Sequence, residues 1–333
     1  MDSQALSRPV LGLCLAAFGG AGLPMAVKVA AELGVAVVDL PTDSPLRLVS
    51  PRGGKRGAAQ LTRDEVGYVK AQLSGAGLTV HCVSNSRDTQ LLLGPHDSAT
   101  DTILPGSRAE KQAYGLAAAL RTVTLAAELG APYARLQLGC PDYGRWLTWP
   151  GAHTSWQQNI DELVDRTGPV LRRATELDVV VVLEPHPKQV LYDLLSTRAV
   201  LDALRGWPGR VRLCLDPANL AAVGYDPMVV VRGWGRDLAM VHVKDLQTWS
   251  AGDAPVGPGW CRYGPGPPIR FRALGLGELP WTRMIATLLD EGFTGPMYIE
   301  HEDTTLPRAQ AIRQAVRRVR EALPEGPPEG RTW

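Results

Sequence analysis

Four apolar runs in the second half of the 333-residue chain each end on an ionisable residue: Leu183-Glu184-Pro185-His186, Leu215-Asp216-Pro217-Ala218-Asn219, Val241-His242-Val243-Lys244-Asp245 and Ile299-Glu300-His301-Glu302-Asp303. Any one such carboxylate is accounted for by a helix cap or a solvated loop. Four in succession point to a shared cause. Glu184, Asp216 and Glu300 cannot all ionise cheaply in one cleft, and a divalent cation would relieve them. Three carboxylates and the His242 imidazole make a moderately hard ligand set, suited first to Mn²⁺ and also to Mg²⁺, Co²⁺ or Zn²⁺. No Cys-x-x-Cys, His-Glu-x-x-His, glycine-rich phosphate loop with its lysine, or Gly-x-Ser-x-Gly elbow competes for the role.

A cation that gathers a carbonyl and a neighbouring hydroxyl oxygen acidifies the adjacent C–H and stabilises the enediolate left on deprotonation. Glu184 and Glu300 are the candidate bases. Lys244, two residues beyond His242, should share its inward face and could hold an oxyanion or protonate a leaving oxygen; the alternative is pairing with Asp245 or another carboxylate outside the site. His186 is a candidate catalytic group at the mouth, weighed against a structural hydrogen bond to a loop. Asn219, Asp245 and His81 are candidate substrate contacts, although a core histidine is the stronger reading of His81. The segments 140–156 and 246–274 are rich in Trp and Tyr. Of these, Trp149 and Trp260 are the candidates to stack on a substrate, with ordinary loop packing as the alternative.

Residues so far apart need a scaffold that converges them. Short Val/Ile/Leu runs bounded by Gly and Pro alternate with stretches of helical period. Strands are predicted at 10–15, 35–40, 78–83, 133–138, 179–183, 211–215, 239–243 and 297–299, with helices at 25–33, 62–76, 108–129, 155–177, 196–204, 227–236, 281–291 and 307–322. Consecutively apolar runs such as Val179-Val-Val-Val-Leu183 suit strands covered on both faces, as in parallel sheets. Eight such units predict an α/β fold, a closed (β/α)₈ barrel over 1–323 with long loops at 41–61, 84–107, 139–155 and 246–279, and a flexible tail at 324–333. Barrels of this kind bring strand carboxyl ends to one mouth, where Glu184, Asp216, His242 and Glu300 would meet. A doubly wound dinucleotide-binding sheet competes, through Gly20-Ala21-Gly22 and Asp39, but Met25 stands where that motif needs its third glycine.

Composition sets the outer bounds. With 45% hydrophobic residues the chain can fill a core, and a formal net charge of +1 leaves no positive excess for nucleic acid or anionic membrane surfaces. No stretch approaches a membrane span, and the apolar run after Arg8 reads as the first strand rather than an export signal. Five scattered cysteines, three of them inside apolar runs, fit a reduced cytoplasm. The expected partner is a small-molecule substrate, which the resemblance carried by the strand-end residues implies to be a carbohydrate. A homo-oligomer is the expected assembly, with a hetero-oligomer as the alternative. The basic turn 51–56 reads equally as a phosphate contact and as a solvated loop.

At Glu184, Asp216, His242 and Glu300, and in the phrases His-Val-Lys-Asp at 242–245, Gly-Leu-Gly-Glu-Leu-Pro-Trp at 275–281 and Glu-His-Glu-Asp at 300–303, the sequence resembles the sugar phosphate isomerases and epimerases of the xylose isomerase-like TIM-barrel superfamily. The resemblance runs roughly from Val10 to Leu323. It implies that these four residues hold one divalent metal, and that Glu184 and Glu300 stand on opposite faces of a sugar, one removing a proton and the other returning it. Where ketose 3-epimerases have a histidine and an arginine for substrate, this chain has Asn219 and Thr248, so that subgroup's contacts do not carry over. Six histidines are too few for the three-zinc DNA-repair branch. The same site would serve a lyase that splits 3-oxo glycosides by β-elimination. A noncatalytic sugar-binding or partner subunit, and a nicotinamide redox enzyme, complete the alternatives.

Overall fold

The computed structural model describes residues 8–43, 61–146, 155–248 and 269–324. Its strands are β1 (Val10–Cys14), β2 (Val37–Pro41), β3 (Thr79–Asn85), β4 (Tyr133–Leu136), β5 (Val180–Leu183), β6 (Val211–Leu215), β7 (Leu238–Val243), β8 (Asp245–Thr248), β9 (Ile269–Arg272) and β10 (Pro296–Ile299). All but β8 and β9 form a closed parallel barrel in the order β1-β10-β7-β6-β5-β4-β3-β2, sealed where Gly12, Leu13 and Cys14 pair with Val37, Val38 and Asp39. The ring of eight predicted staves is therefore present, and its closure rules out the doubly wound sheet. Gly22 instead caps the first helix, and Met25 points to solvent.

Around the ring lie α1 (Leu23–Glu32), α2 (Arg63–Gly75), α3 (Arg108–Leu129), α4 (Gln157–Glu176), α5 (Leu194–Ala203), the short α6 (Pro217–Ala221), α7 (Pro227–Trp234), α8 (Trp281–Asp290) and α9 (Arg308–Ala322). Local chemistry places their ends. Thr62 with Glu65, and Ser107 with Glu110, form reciprocal caps that satisfy orphan amides at the starts of α2 and α3. Asp216 and Asp226 cap α6 and α7, each followed by a proline whose missing N–H costs nothing in the first turn. The α6 turn escaped the sequence reading because five residues are too few to show a helical period.

Two apolar layers hold the barrel. Between staves and helices runs one continuous core, and β7 is buried along all six residues, as a strand covered on both faces must be. Inside the ring, Val37, Cys82, Val182, Cys214, Met240 and Tyr298 form a second cluster. Gly12 makes room for it: a Cβ there would lie 2.6 Å from Cδ1 of the Tyr298 ring. Above this apolar plug the inward positions turn ionisable. Two residues on from Val182, Cys214, Met240 and Tyr298 come Glu184, Asp216, His242 and Glu300, which strand alternation keeps on the inner face. The plug is a floor for the charged mouth.

Within the predicted loop 246–279, β8 and β9 pair as an antiparallel ribbon from Asp245↔Arg272 to Thr248↔Ile269. Their halves are 20 residues apart in the chain, so no hairpin turn marks them in the sequence. The described cysteines, Cys14, Cys82, Cys140 and Cys214, are free and buried. Among the described residues no helix is long and apolar enough to cross a membrane. Trp149, Trp260, the basic turn 51–56 and the tail beyond Pro324 lie outside the described residues.

Candidate active site

At the carboxyl ends of β5, β6 and β7, Glu184, Asp216 and His242 each turn a ligand atom to one spot, all within 4.8 Å of one another. All three are almost completely buried. His242 Nδ1 stands 3.6 Å from Glu184 Oε1 and 3.4 Å from Glu300 Oε2, and among the described residues neither ring nitrogen has a hydrogen-bond partner. A buried imidazole left without partners is costly. Spacings just over 3 Å between donors are what a shared cation requires, since ligand bonds near ~2.1 Å at right angles put neighbouring atoms about 3 Å apart. The donor set therefore fits a divalent ion held by Glu184, Asp216 and His242, with Glu300 beside them.

Charge points the same way. Asp39, Glu184, Asp216, Glu300 and Glu302 gather around two fixed cations, Arg135 and Lys244. Like charges 4 Å apart repel by about 4 kcal/mol at an effective dielectric near 20; among the described residues the carboxylates outnumber the two fixed cations by three, and even a charged His242, raised against its burial by Cys214, Glu300 and Glu184, leaves an excess that calls for more positive charge. Lys244 Nζ lies 2.9 Å from Asp216 Oδ2, 2.9 Å from Glu300 Oε2 and 3.3 Å from Glu302 Oε1, with the Phe271 ring 4.3 Å away. On the other side Arg135, from β4, bonds Glu184 Oε2 and reaches Asp39 Oδ2 at 3.4 Å.

These neighbours set the protonation states. Burial would raise the Glu184 carboxyl, but Arg135 and His242 outweigh it and hold the group well below the usual carboxylate range. Glu300 is likewise pulled down against its burial, by Lys244 and His242. Asp216 goes the other way, pushed up to about 6 by burial and by Glu300 and Glu184, with Lys244 opposing. Burial works against the Lys244 ammonium, yet Asp216, Glu300 and Glu302 keep it charged.

A family model described as the xylose isomerase-like TIM barrel matches residues 27–322. The chain belongs to this family. Among solved structures, it is similar to 3-keto-D-glucoside 4-epimerase from E. coli in its apo form, at 15% identity and a TM-score of 0.66 over 94% of this chain and 100% of that one. It is similar to a xylose isomerase-like TIM barrel protein from Mycobacterium smegmatis in complex with magnesium, at 16% identity and a TM-score of 0.66 over 95% and 96% of the two chains. A third is the probable 3-DHS dehydratase involved in petrobactin synthesis from Bacillus anthracis, at 15% identity and a TM-score of 0.61 over 93% and 98%. At such identities the likeness is one of fold. No curated protein matches the chain.

In this member of the xylose isomerase-like family, the remaining candidates divide. Asn219 is in the cluster: its Nδ2 donates to Glu184 Oε1 at 3.1 Å and to Asp216 Oδ2 at 2.9 Å. His186 is at the mouth, with Nδ1 accepting from the Lys188 amide at 3.0 Å, and burial lowers it to about 4, so the ring is neutral. Lys244 pairs with Asp216 and Glu300 of the cluster and also with Glu302, and among the described residues no ion pair joins it to Asp245.

Asp245, expected as a substrate contact, is an anchor instead. It is 1% exposed, and its oxygens accept from the amides of Leu246, Gly275, Gly277 and Leu279 at 2.9–3.1 Å. The Trp281 indole donates to the Lys244 carbonyl at 3.2 Å. The phrases at 242–245 and 275–281 are thus two halves of one clasp. His81, the weaker candidate for a substrate contact, sits early on β3, 3.2 Å from the Tyr298 hydroxyl, and borders a cavity of about 500 Å³ with Pro132, Val180 and Pro296, residues at the amino ends of strands. That is the end of the barrel opposite the mouth.

Arg135, Gln137, Glu302 and Phe271 were missed. For Arg135 and Gln137 a signal existed: Arg-x-Gln at alternate positions in a run otherwise apolar puts two polar groups on the inner face of a buried strand. Asp39 was read only as a dinucleotide-binding acid, and Phe271 depends on β9, which the sequence does not announce.

Proposed function

We propose that the chain is a divalent-metal-dependent enzyme of the isomerase and epimerase kind, acting on a carbohydrate by removing a proton next to a carbonyl. The observation that carries this reading is the convergence of Glu184, Asp216 and His242 beside a glutamate held by a lysine. Bound there, a divalent ion, Mn²⁺ foremost, would supply positive charge that acidifies the C–H beside a carbonyl. Glu300, ionised and at the edge of the cluster, takes the proton. Lys244, 2.9 Å from it, donates to the oxygen on which negative charge develops. His186 and Asn219 are placed to orient hydroxyl groups, and the buried Tyr298 layer closes the floor against water. Four free buried cysteines support placing the reaction in the cytoplasm.

A second reading, β-elimination from a 3-oxo glycoside, draws on the same pair. An ammonium next to a carboxylate base is an acid next to a base, which is what expulsion of an oxygen substituent needs. The fold likeness to a dehydratase supports keeping it. Metal analysis followed by NMR of deuterium uptake from solvent, with D-fructose, D-glucose and methyl 3-oxo-β-D-glucopyranoside, tests the proposal. Uptake at a carbon next to the carbonyl is expected. Its absence from every sugar, with metal bound, would leave only a binding role.

A further inference from the structure

A carboxylate serves as a base only through a lone pair that faces the substrate, and the two glutamates differ in this respect. Glu184 Oε2 accepts from Arg135 Nη1 and, at 3.0 Å, from Gln137 Nε2. Its Oε1 accepts from Asn219 Nδ2 at 3.1 Å and faces His242 Nδ1. A carboxylate oxygen has two in-plane lone pairs, so Oε2 is full and Oε1 keeps one, directed at the metal spot. Arg135 cannot easily withdraw: it is 2% exposed, with Asp39 Oδ2 at 3.4 Å and Ser86 Oγ at 3.1 Å also holding it. Glu300 is less enclosed, its side chain 15% exposed, and the contacts described for it, with Lys244 and His242, all fall on Oε2. In barrel order β10 and β5 are separated by β7 and β6, so the two glutamates approach His242 Nδ1, at 3.4 Å and 3.6 Å, from different staves.

We infer that Arg135 and Gln137 are positioning residues that reserve Glu184 for holding the cation, so that Glu300 alone carries protons and the chemistry runs on one face of the substrate. The inference rests on the enolising reading and narrows it. The C–H proton passes to Glu300, and the C–H electron pair enters the enolate. In isomerisation Glu300 returns that proton to the neighbouring carbon on the same face, while the hydroxyl on that carbon gives up its proton and becomes the new carbonyl, and Lys244 relays that proton to the former carbonyl oxygen. In elimination the electron pair expels the β-oxygen substituent, which takes a proton from Lys244. Inversion at the deprotonated carbon would need delivery from Glu184 and is not available, so isomerisation or syn elimination is favoured over epimerisation.

The test uses the Mn²⁺-loaded full chain in D₂O with the three sugars named above. Label is expected at one prochiral position of fructose C1, and at C3 only with retention; an accumulating C3 epimer, or label at both C1 positions, overturns the inference while leaving enolisation intact. No uptake on any sugar removes the enolising reading and the inference together. Electron paramagnetic resonance titration with Mn²⁺ gives a readout independent of turnover: Glu184→Gln should weaken binding at least about tenfold and Glu300→Gln much less, and the reverse order overturns the assignment. The double variant Arg135→Met, Asp39→Asn removes Arg135 together with one of its two carboxylate partners and leaves the other, Glu184, to the bound cation. It should admit label on the second face. A merely structural role for Arg135 would slow exchange without moving the label, and that result sinks its positioning role.

Discussion

Lys244 is the residue on which the chemistry turns, because three carboxylates converge on its ammonium. Lys244→Met should lower the turnover of any sugar that exchanges by about a hundredfold or more while Mn²⁺ still binds; wild-type turnover in that variant would show the lysine to be a counter-ion only. Glu184→Gln and Glu300→Gln should each abolish deuterium uptake, the first through loss of metal and the second through loss of the base, which metal analysis separates. His81 offers a check away from the mouth. Burial lowers it to about 4 from an ordinary value near 6.5, so the unfolded chain binds its proton first as pH falls. Stability is unaffected by this group above about pH 6.5 and declines from there to about pH 4, at up to about 1.4 kcal/mol per unit. His81→Gln should flatten that part of the curve of denaturation free energy against pH; an unchanged slope would contradict the buried neutral ring. The four acidic and imidazole residues at strand ends were legible from sequence because each interrupts an apolar run. The role of Asp245 was not, since a residue type says nothing about which amides it will meet.

At the level of elements, all eight staves and the eight long helices could be read from periodicity and from caps such as Thr62 with Glu65, with boundaries displaced by a residue or two. What stayed hidden depends on non-local pairing: β8 and β9, joined across 20 residues, and the short α6 behind Asp216. The clasp between Asp245 and the 275–281 segment yields a prediction here. Asp245→Ala strips the acceptor from three loop amides and should cost about 3 kcal/mol. Gly277→Ala, whose new Cβ would sit 2.3 Å from Asp245 Oδ1, should cost about 1–3 kcal/mol. Denaturant midpoints measure both, and midpoints equal to wild type would mean the clasp is decorative.

For the whole molecule, an excess of negative charge buried at one end of a barrel is a standing cost to folding that a bound cation removes. Mn²⁺ at about a hundred times its dissociation constant should add about 2.7 kcal/mol, read as a rise in melting temperature of several degrees that chelation reverses. No rise would mean that Arg135 and Lys244 neutralise the cluster unaided. The antiparallel ribbon bears on redesign as well. Because Thr248 and Ile269 are already paired, and Asp245 fastens the far end, the ribbon is a closed buckle. Such a buckle is a natural splice point, because the residues joining its halves can be exchanged with the staves beneath left undisturbed.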